Sequence, residues 1–145
     1  VHGSRPELSI DFSGGTEWLI DAQGCRVDRL TDPACIRAIC DDVLASLKLN
    51  VVADPLLHRF GGPGGVTAMY LLAESHLTCH TYPEVGFATF NLYCCRQRPR
   101  WNWEDALRQH LGATEVRVRM IDRNVDAITP AESSNFARRS GASSR

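Results

Sequence analysis

No apolar run in this 145-residue chain approaches the roughly 20 residues that span a bilayer, which excludes a membrane-crossing helix. There is also no excess charge of one sign. Sixteen basic residues against 17 acidic ones give a net charge of -1, so no overall field favours nucleic acid or an anionic membrane. The six cysteines, Cys25, Cys35, Cys40, Cys79, Cys94 and Cys95, contain no CxxC pair and are not spaced as a disulfide framework. They read as reduced thiols. The glycine-rich stretch 61–65 lacks both the GxGxxG spacing and the Lys-Ser/Thr sequel of a phosphate-binding loop. Val1 to Phe12 lacks the basic-then-apolar order of an export signal, and the expectation is a soluble, cytoplasmic protein.

What is present is a chain 43% apolar, long enough for one packed core. Glu7–Phe12 and Glu17–Asp21 read as short strands around the 13–15 loop. Asp32 before Pro33 marks a helix start, and Ile36, Ile39, Val43, Leu44 and Leu47 recur at helical spacing through Lys48. Asn50–Phe60 holds two extended pieces broken at Asp54 and Pro55. Val66–Ala73 reads as a buried strand, and Val85–Cys95 as another that places Asn91 and Cys95 on one face. Asn102 caps a second helix that Gly112 ends, and Thr114–Met120 alternates with Val116, Val118 and Met120 facing in.

Several strands with two helices predict an α+β two-layer sandwich, a mainly antiparallel sheet with helices on one face. The bare face of such a sheet needs a cover. A homodimer stacking two sheets into a four-layer α/β/β/α assembly is the economical answer. We expect a single domain over 1–129 and a disordered tail over 130–145, where apolar residues become sparse.

Reactive side chains crowd between the apolar strands: Glu74, Ser75, His76, Cys79, His80, Tyr82 and Glu84. His76 and His80 with Cys79 between them raise zinc as a rival reading, although the cysteine spacing speaks against it and no metal is expected. A lone Glu-Ser-His is more often a solvated turn. The longer string Leu72–Glu84, LAESHLTCHTYPE, is more specific, because it resembles the self-cleavage segment of bacterial S-adenosylmethionine decarboxylases. The resemblance runs outward from Leu8 to Asp122. It takes in GCRVDRLTDP and its helix, the HRF and glycine-rich stretch, a cysteine twenty residues after the serine, and the Trp101–Trp103 helix start.

The resemblance implies a chain that cuts itself between Glu74 and Ser75, giving a β chain 1–74 and an α chain 75–145 whose first residue has become a pyruvoyl group. Serine can attack its preceding carbonyl, exchanging an amide for an ester. A base then takes the serine α proton, the ester is eliminated, and the dehydroalanine loses ammonia. By the same resemblance His80 serves this processing, Thr67 supports it, and Cys95 is the acid that protonates the substrate carbon after carbon dioxide leaves. Eight residues of straight strand span about 26 Å, so Thr67 and Ser75 meet only if the chain bends or another strand brings them together. Phe60 and Tyr82 would sandwich adenine, and Glu84 would accept hydrogen bonds from the ribose hydroxyls.

Two features depart from the family pattern. Asn91 stands where an aspartate is common, and CCRQRPR, Cys94–Arg100, replaces a CG followed by an acidic or His-containing stretch. The implied activity is decarboxylation of S-adenosylmethionine by a cytoplasmic homodimer, its product donating aminopropyl groups as in spermidine synthesis, with no nucleic-acid or membrane partner. The alternatives are the same chemistry on ornithine or arginine, and a non-processing binding or regulatory relative.

Overall fold

Asp32 caps the long helix as its sequence predicts: its carboxylate accepts the backbone N–H of Ala34 at 2.9 Å, with Pro33 in the first turn. The computed structural model describes residues 14–124. This helix, α2, covers Pro33–Ser46 after a one-turn α1 at Val27–Leu30. It stops two residues short of Lys48. Lys48 turns to φ 54° and Leu49 N–H reaches back to the Leu44 carbonyl at 2.9 Å, a closing turn that uses the helix's last carbonyls. The third helix, α3, spans Trp103–Leu111. Asn102 accepts the N–H of Asp105 at its start, and Gly112 at φ 66° ends it.

The strands are β1 (Gly15–Gln23), β2 (Leu56–Arg59), β3 (Val66–Leu72), β4 (Ser75–Tyr82), β5 (Phe87–Cys94) and β6 (Glu115–Arg123). They form one sheet in the order β2-β3-β4-β5-β1-β6, with every neighbouring pair antiparallel. Three successive hairpins join β2 to β5. β1 then lies between β5 and β6, with Ile20 opposite both Phe90 and Val118.

Alternation along the strands divides the sheet into two unlike faces. On one, Ile20, Ala68, Leu77 and Leu92 are fully buried against Ile36, Ile39 and Val43 of α2 and Trp103 and Leu107 of α3, in one continuous core. The other face has no helix among the described residues. The expected α+β architecture with helices on one side is therefore observed.

Three expectations change in detail. Val66–Leu72 is buried on one face only, since Met69 and Leu71 are 52% and 57% exposed on the other. Met120 shares a face with buried Trp18 yet is exposed, because β6 is an edge strand and the helix layer stops short of its second half; Val116 and Val118 do pack on the core. Ser75–Tyr82, the segment of crowded reactive side chains expected between apolar strands, is itself the strand β4 near the middle of the sheet. The strand expected at Glu7–Phe12 and the tail expected at 130–145 lie outside the described residues.

Leu107 measures the worth of the helix layer. Leu107→Ala should lower unfolding free energy by about 2–5 kcal/mol, seen as a lower urea midpoint at unchanged slope, because α3 cannot collapse into the space left behind.

Candidate functional site

Ala73 and Glu74 make the turn between β3 and β4, with Leu72 and Ser75 directly opposed. Two-residue hairpin turns favour Asn-Gly or glycine pairs, which adopt positive φ without strain. Neither Ala73 nor Glu74 has that freedom, and the unusual conformation falls on Ser75, at φ 150°. Holding a residue with a Cβ there costs about 1–3 kcal/mol. The strain sits beside the peptide that joins Glu74 to Ser75.

Glu74 is held at both ends. The backbone N–H of Cys95 donates to its carbonyl oxygen at 2.9 Å. A terminal nitrogen of Arg98 lies 2.5 Å from each carboxylate oxygen, in a pair whose side chains are only 24% and 15% exposed. A donor aimed at a carbonyl oxygen stabilises the negative charge that appears when that carbonyl is attacked. The attacking group would be the Ser75 hydroxyl one residue on.

Cys94 and Cys95 diverge because strand side chains alternate. Cys94, opposite Ser75, is fully buried toward the helices, and burial pushes its thiol up to about 11. Burial likewise raises Cys25 to about 11 and Cys40 to about 12, and drives Cys79 well above its ordinary value. These thiols are inert core residues. Cys95 is the one half-buried cysteine, placed just past the end of β5, whose Asn91 and Tyr93 lie on the helix-free face.

A second group forms at the other end of the same strands. Thr67 and His80 are direct cross-strand partners, joined Oγ1 to Nδ1 at 2.7 Å, which fixes the imidazole and leaves Nε2 for another partner. Beneath them Thr81 locks the strand: its hydroxyl accepts the Val66 N–H at 2.7 Å and donates to the Leu30 carbonyl at 2.6 Å. Gly65 is required here, because a Cβ would stand 2.0 Å from the Thr81 carbonyl oxygen. Tyr82 stacks on Phe87 at 5.9 Å across the β4–β5 connection, where Glu84 lies exposed in a short 3-10 turn. Phe60, exposed at the end of β2, meets the ring of His58 edge-on at 4.7 Å, and His58 pairs with Thr67.

The predicted residues therefore gather in two places. Glu74, Ser75 and Cys95 are together at one end, and Phe60, Thr67, His80, Tyr82 and Glu84 at the other. Five residue steps along the strand separate Ser75 from His80, about 17 Å. The hairpin brings Thr67 to His80 and not to Ser75, so the bend considered from sequence joins Thr67 to a different partner. The zinc reading fails on the same geometry. His76 and His80 are about 13 Å apart along one strand while Cys79 points to the opposite face, and no cluster fit to hold a metal occurs among the described residues.

Two features escaped the sequence. Asn91 donates to Glu17 at 2.9 Å and Arg123 binds the same carboxylate at 2.6 Å, which together hold Glu17 below its ordinary pKa, Asn91 contributing most. Arg98 grips Glu74 across 24 residues of chain. The arginine cluster was the only signal for the latter, and it carries no mark of its partner.

A family model described as S-adenosylmethionine decarboxylase matches residues 16–124. The chain is 35% identical over 116 residues to the S-adenosylmethionine decarboxylase proenzyme 2 of Halalkalibacterium halodurans, a match covering 79% of this chain and 89% of the relative. It is 33% identical over 118 residues to the S-adenosylmethionine decarboxylase proenzyme of Prochlorococcus marinus, covering 78% and 90%. Among solved structures, the adenosylmethionine decarboxylase of Aquifex aeolicus superposes with a TM-score of 0.66 at 25% identity, over 81% of this chain and 94% of that one.

Proposed function

This chain belongs to the S-adenosylmethionine decarboxylase family, and from that premise we propose that it removes carbon dioxide from S-adenosylmethionine with a pyruvoyl group made from its own Ser75. The observation that carries the proposal is the Glu74 carbonyl, hydrogen-bonded by Cys95 N–H beside a strained Ser75. Attack of Ser75 Oγ on that carbonyl relieves the strain as the peptide becomes an ester, with the Cys95 N–H taking the developing oxyanion. His80, oriented by Thr67, removes the Ser75 α proton, and elimination frees Glu74 as a new carboxyl end.

Once formed, the pyruvoyl group supplies a carbonyl that draws electrons from the bond to the leaving carboxylate. The surroundings of Ser75 fit such a group. Cys95, half-buried just past the end of β5, returns a proton to the substrate carbon. Phe60 and Tyr82 offer exposed ring faces to adenine, and Glu84 an exposed carboxylate to the ribose hydroxyls.

The 17 Å between His80 and Ser75 requires a second copy. A two-fold axis lying between two stacked sheets and perpendicular to their strands exchanges the strand ends, bringing His80 and Thr67 of each copy to the end of the sheet where the other carries the Glu74–Ser75 peptide. The helix-free face has the character for it: Leu56, Met69 and Leu71 expose a continuous apolar patch beside the row His58, Thr67, His80 and Thr89. The active homodimer thus carries two sites, each built from both chains.

Substrate is tested by carbon dioxide release from carboxyl-labelled compounds. The processed protein should release label from S-adenosylmethionine at least about 100-fold faster than from ornithine or arginine, which lack the adenosyl group that Phe60, Tyr82 and Glu84 would hold. Faster release from either amino acid would overturn the substrate assignment and leave the self-cleavage intact.

A further inference from the structure

In the cleavage reaction proposed above Glu74 contributes only its carbonyl, yet its side chain is held as closely as its main chain. The 94–98 segment touches it twice, through Cys95 N–H on the carbonyl oxygen and Arg98 on both carboxylate oxygens. An arginine and a carboxylate this sheltered from solvent form a stronger and better-oriented pair than an exposed one. Arg98 Nε is also buried and has no hydrogen-bond partner among the described residues, so the guanidinium keeps a donor in reserve.

Cleavage changes what stands beside that donor. Elimination breaks the Ser75 Cβ–Oγ bond, Oγ stays with Glu74, and Glu74 gains an α-carboxylate while the Ser75 α proton goes to the base. A second negative charge then appears on the residue Arg98 already binds. Left unpaired, it would stand next to the place where a substrate carboxylate must come.

We infer that Arg98 is a positioning residue for self-cleavage, which holds Glu74 so that its carbonyl stays on the Cys95 N–H and within reach of Ser75, and which then neutralises the carboxylate that cleavage frees. Arg98 touches neither substrate nor the reacting atoms before the cut. It acts through Glu74. The inference rests on the self-cleavage reading and concerns a segment, Cys94–Arg100, in which this chain departs from the family pattern.

The test follows maturation of full-length protein by intact mass from the time of synthesis. Arg98→Ala should mature about 10- to 100-fold more slowly than wild type, the loss expected when a reacting group drifts by about an ångström. Millimolar methylguanidinium should restore part of the rate to Arg98→Ala and none to wild type, a response that lost packing alone does not give. Glu74→Gln should be slowed to a similar degree, and the double variant should be no slower than either single one. Maturation of Arg98→Ala at the wild-type rate overturns the inference, as does a double variant slowed by the product of the single effects. If Arg98→Ala does not fold, Glu74→Gln decides alone: normal maturation there overturns it. A wild-type protein that never matures instead removes the self-cleavage reading itself.

Discussion

Analysed by mass under denaturing conditions, the wild-type protein should resolve into residues 1–74 and 75–145, the second about 17 Da lighter than a serine-started chain because a ketone replaces an amine, while Ser75→Ala remains a single chain. Decarboxylation by Ser75→Ala should fall at least about 10⁴-fold, because one substitution removes both the nucleophile of maturation and the precursor of the group that withdraws electrons. The variant should nonetheless fold. Alanine keeps the strain at φ 150° and loses only a hydroxyl, so its thermal midpoint should lie close to that of the uncut wild-type chain, whereas Ser75→Gly, free to adopt this conformation, should be more stable by about 1 kcal/mol or more. One uncut chain in both wild type and Ser75→Ala would end the pyruvoyl mechanism for this protein.

The second large effect concerns which chain acts on which. Ser75→Ala and His80→Ala should each stay uncut when made alone, the first for want of a nucleophile and the second for want of a base. Co-expressed in equal amounts, they should form mixed dimers in which the intact His80 of one copy meets the intact Ser75 of the other. Only the His80→Ala chain should then be cut, and to about half if copies pair at random. Mass spectrometry distinguishes the two variants and reads the result directly. A site contained within one chain predicts no cutting in the mixture, so that outcome would return the problem to the 17 Å gap along β4 and demand a different base near Ser75.

Much of the fold was legible because its elements announce themselves locally. Asp32-Pro33, Asn102 and Gly112 bound the helices, and the alternation of Phe87–Cys94 assigns faces to Asn91 and Cys94 before any coordinates exist. β4 was harder, since its buried positions are Leu77, Cys79 and Thr81, two of them weak apolar signals, and its exposed positions are catalytic in type. The motif Leu72–Glu84 singled out residues but said nothing of their separation. A string of neighbours in sequence suggests a cluster, and a strand spreads it over most of its own length. Arg98 was invisible for the opposite reason. Its partner is a side chain on another strand end, and nothing local to either residue encodes the pairing.

The strand order carries a further consequence for the life of the molecule. A cut after Glu74 leaves β1, β2 and β3 on one chain and β4, β5 and β6 on the other, and in the sheet these alternate as two, two, one and one. The two pieces are interleaved and cannot part without dismantling the sheet. Nor can they easily be reassembled, for what folded as one molecule would have to refold as two that must first find each other. The Cys95 N–H that meets the Glu74 carbonyl belongs to the later piece, so β5 must be paired with β4 before that donor is in place. The self-cleavage proposed above would then act as a ratchet: the chain folds with the entropy of a single molecule, and would afterwards persist in a form whose survival depends on how slowly it comes apart.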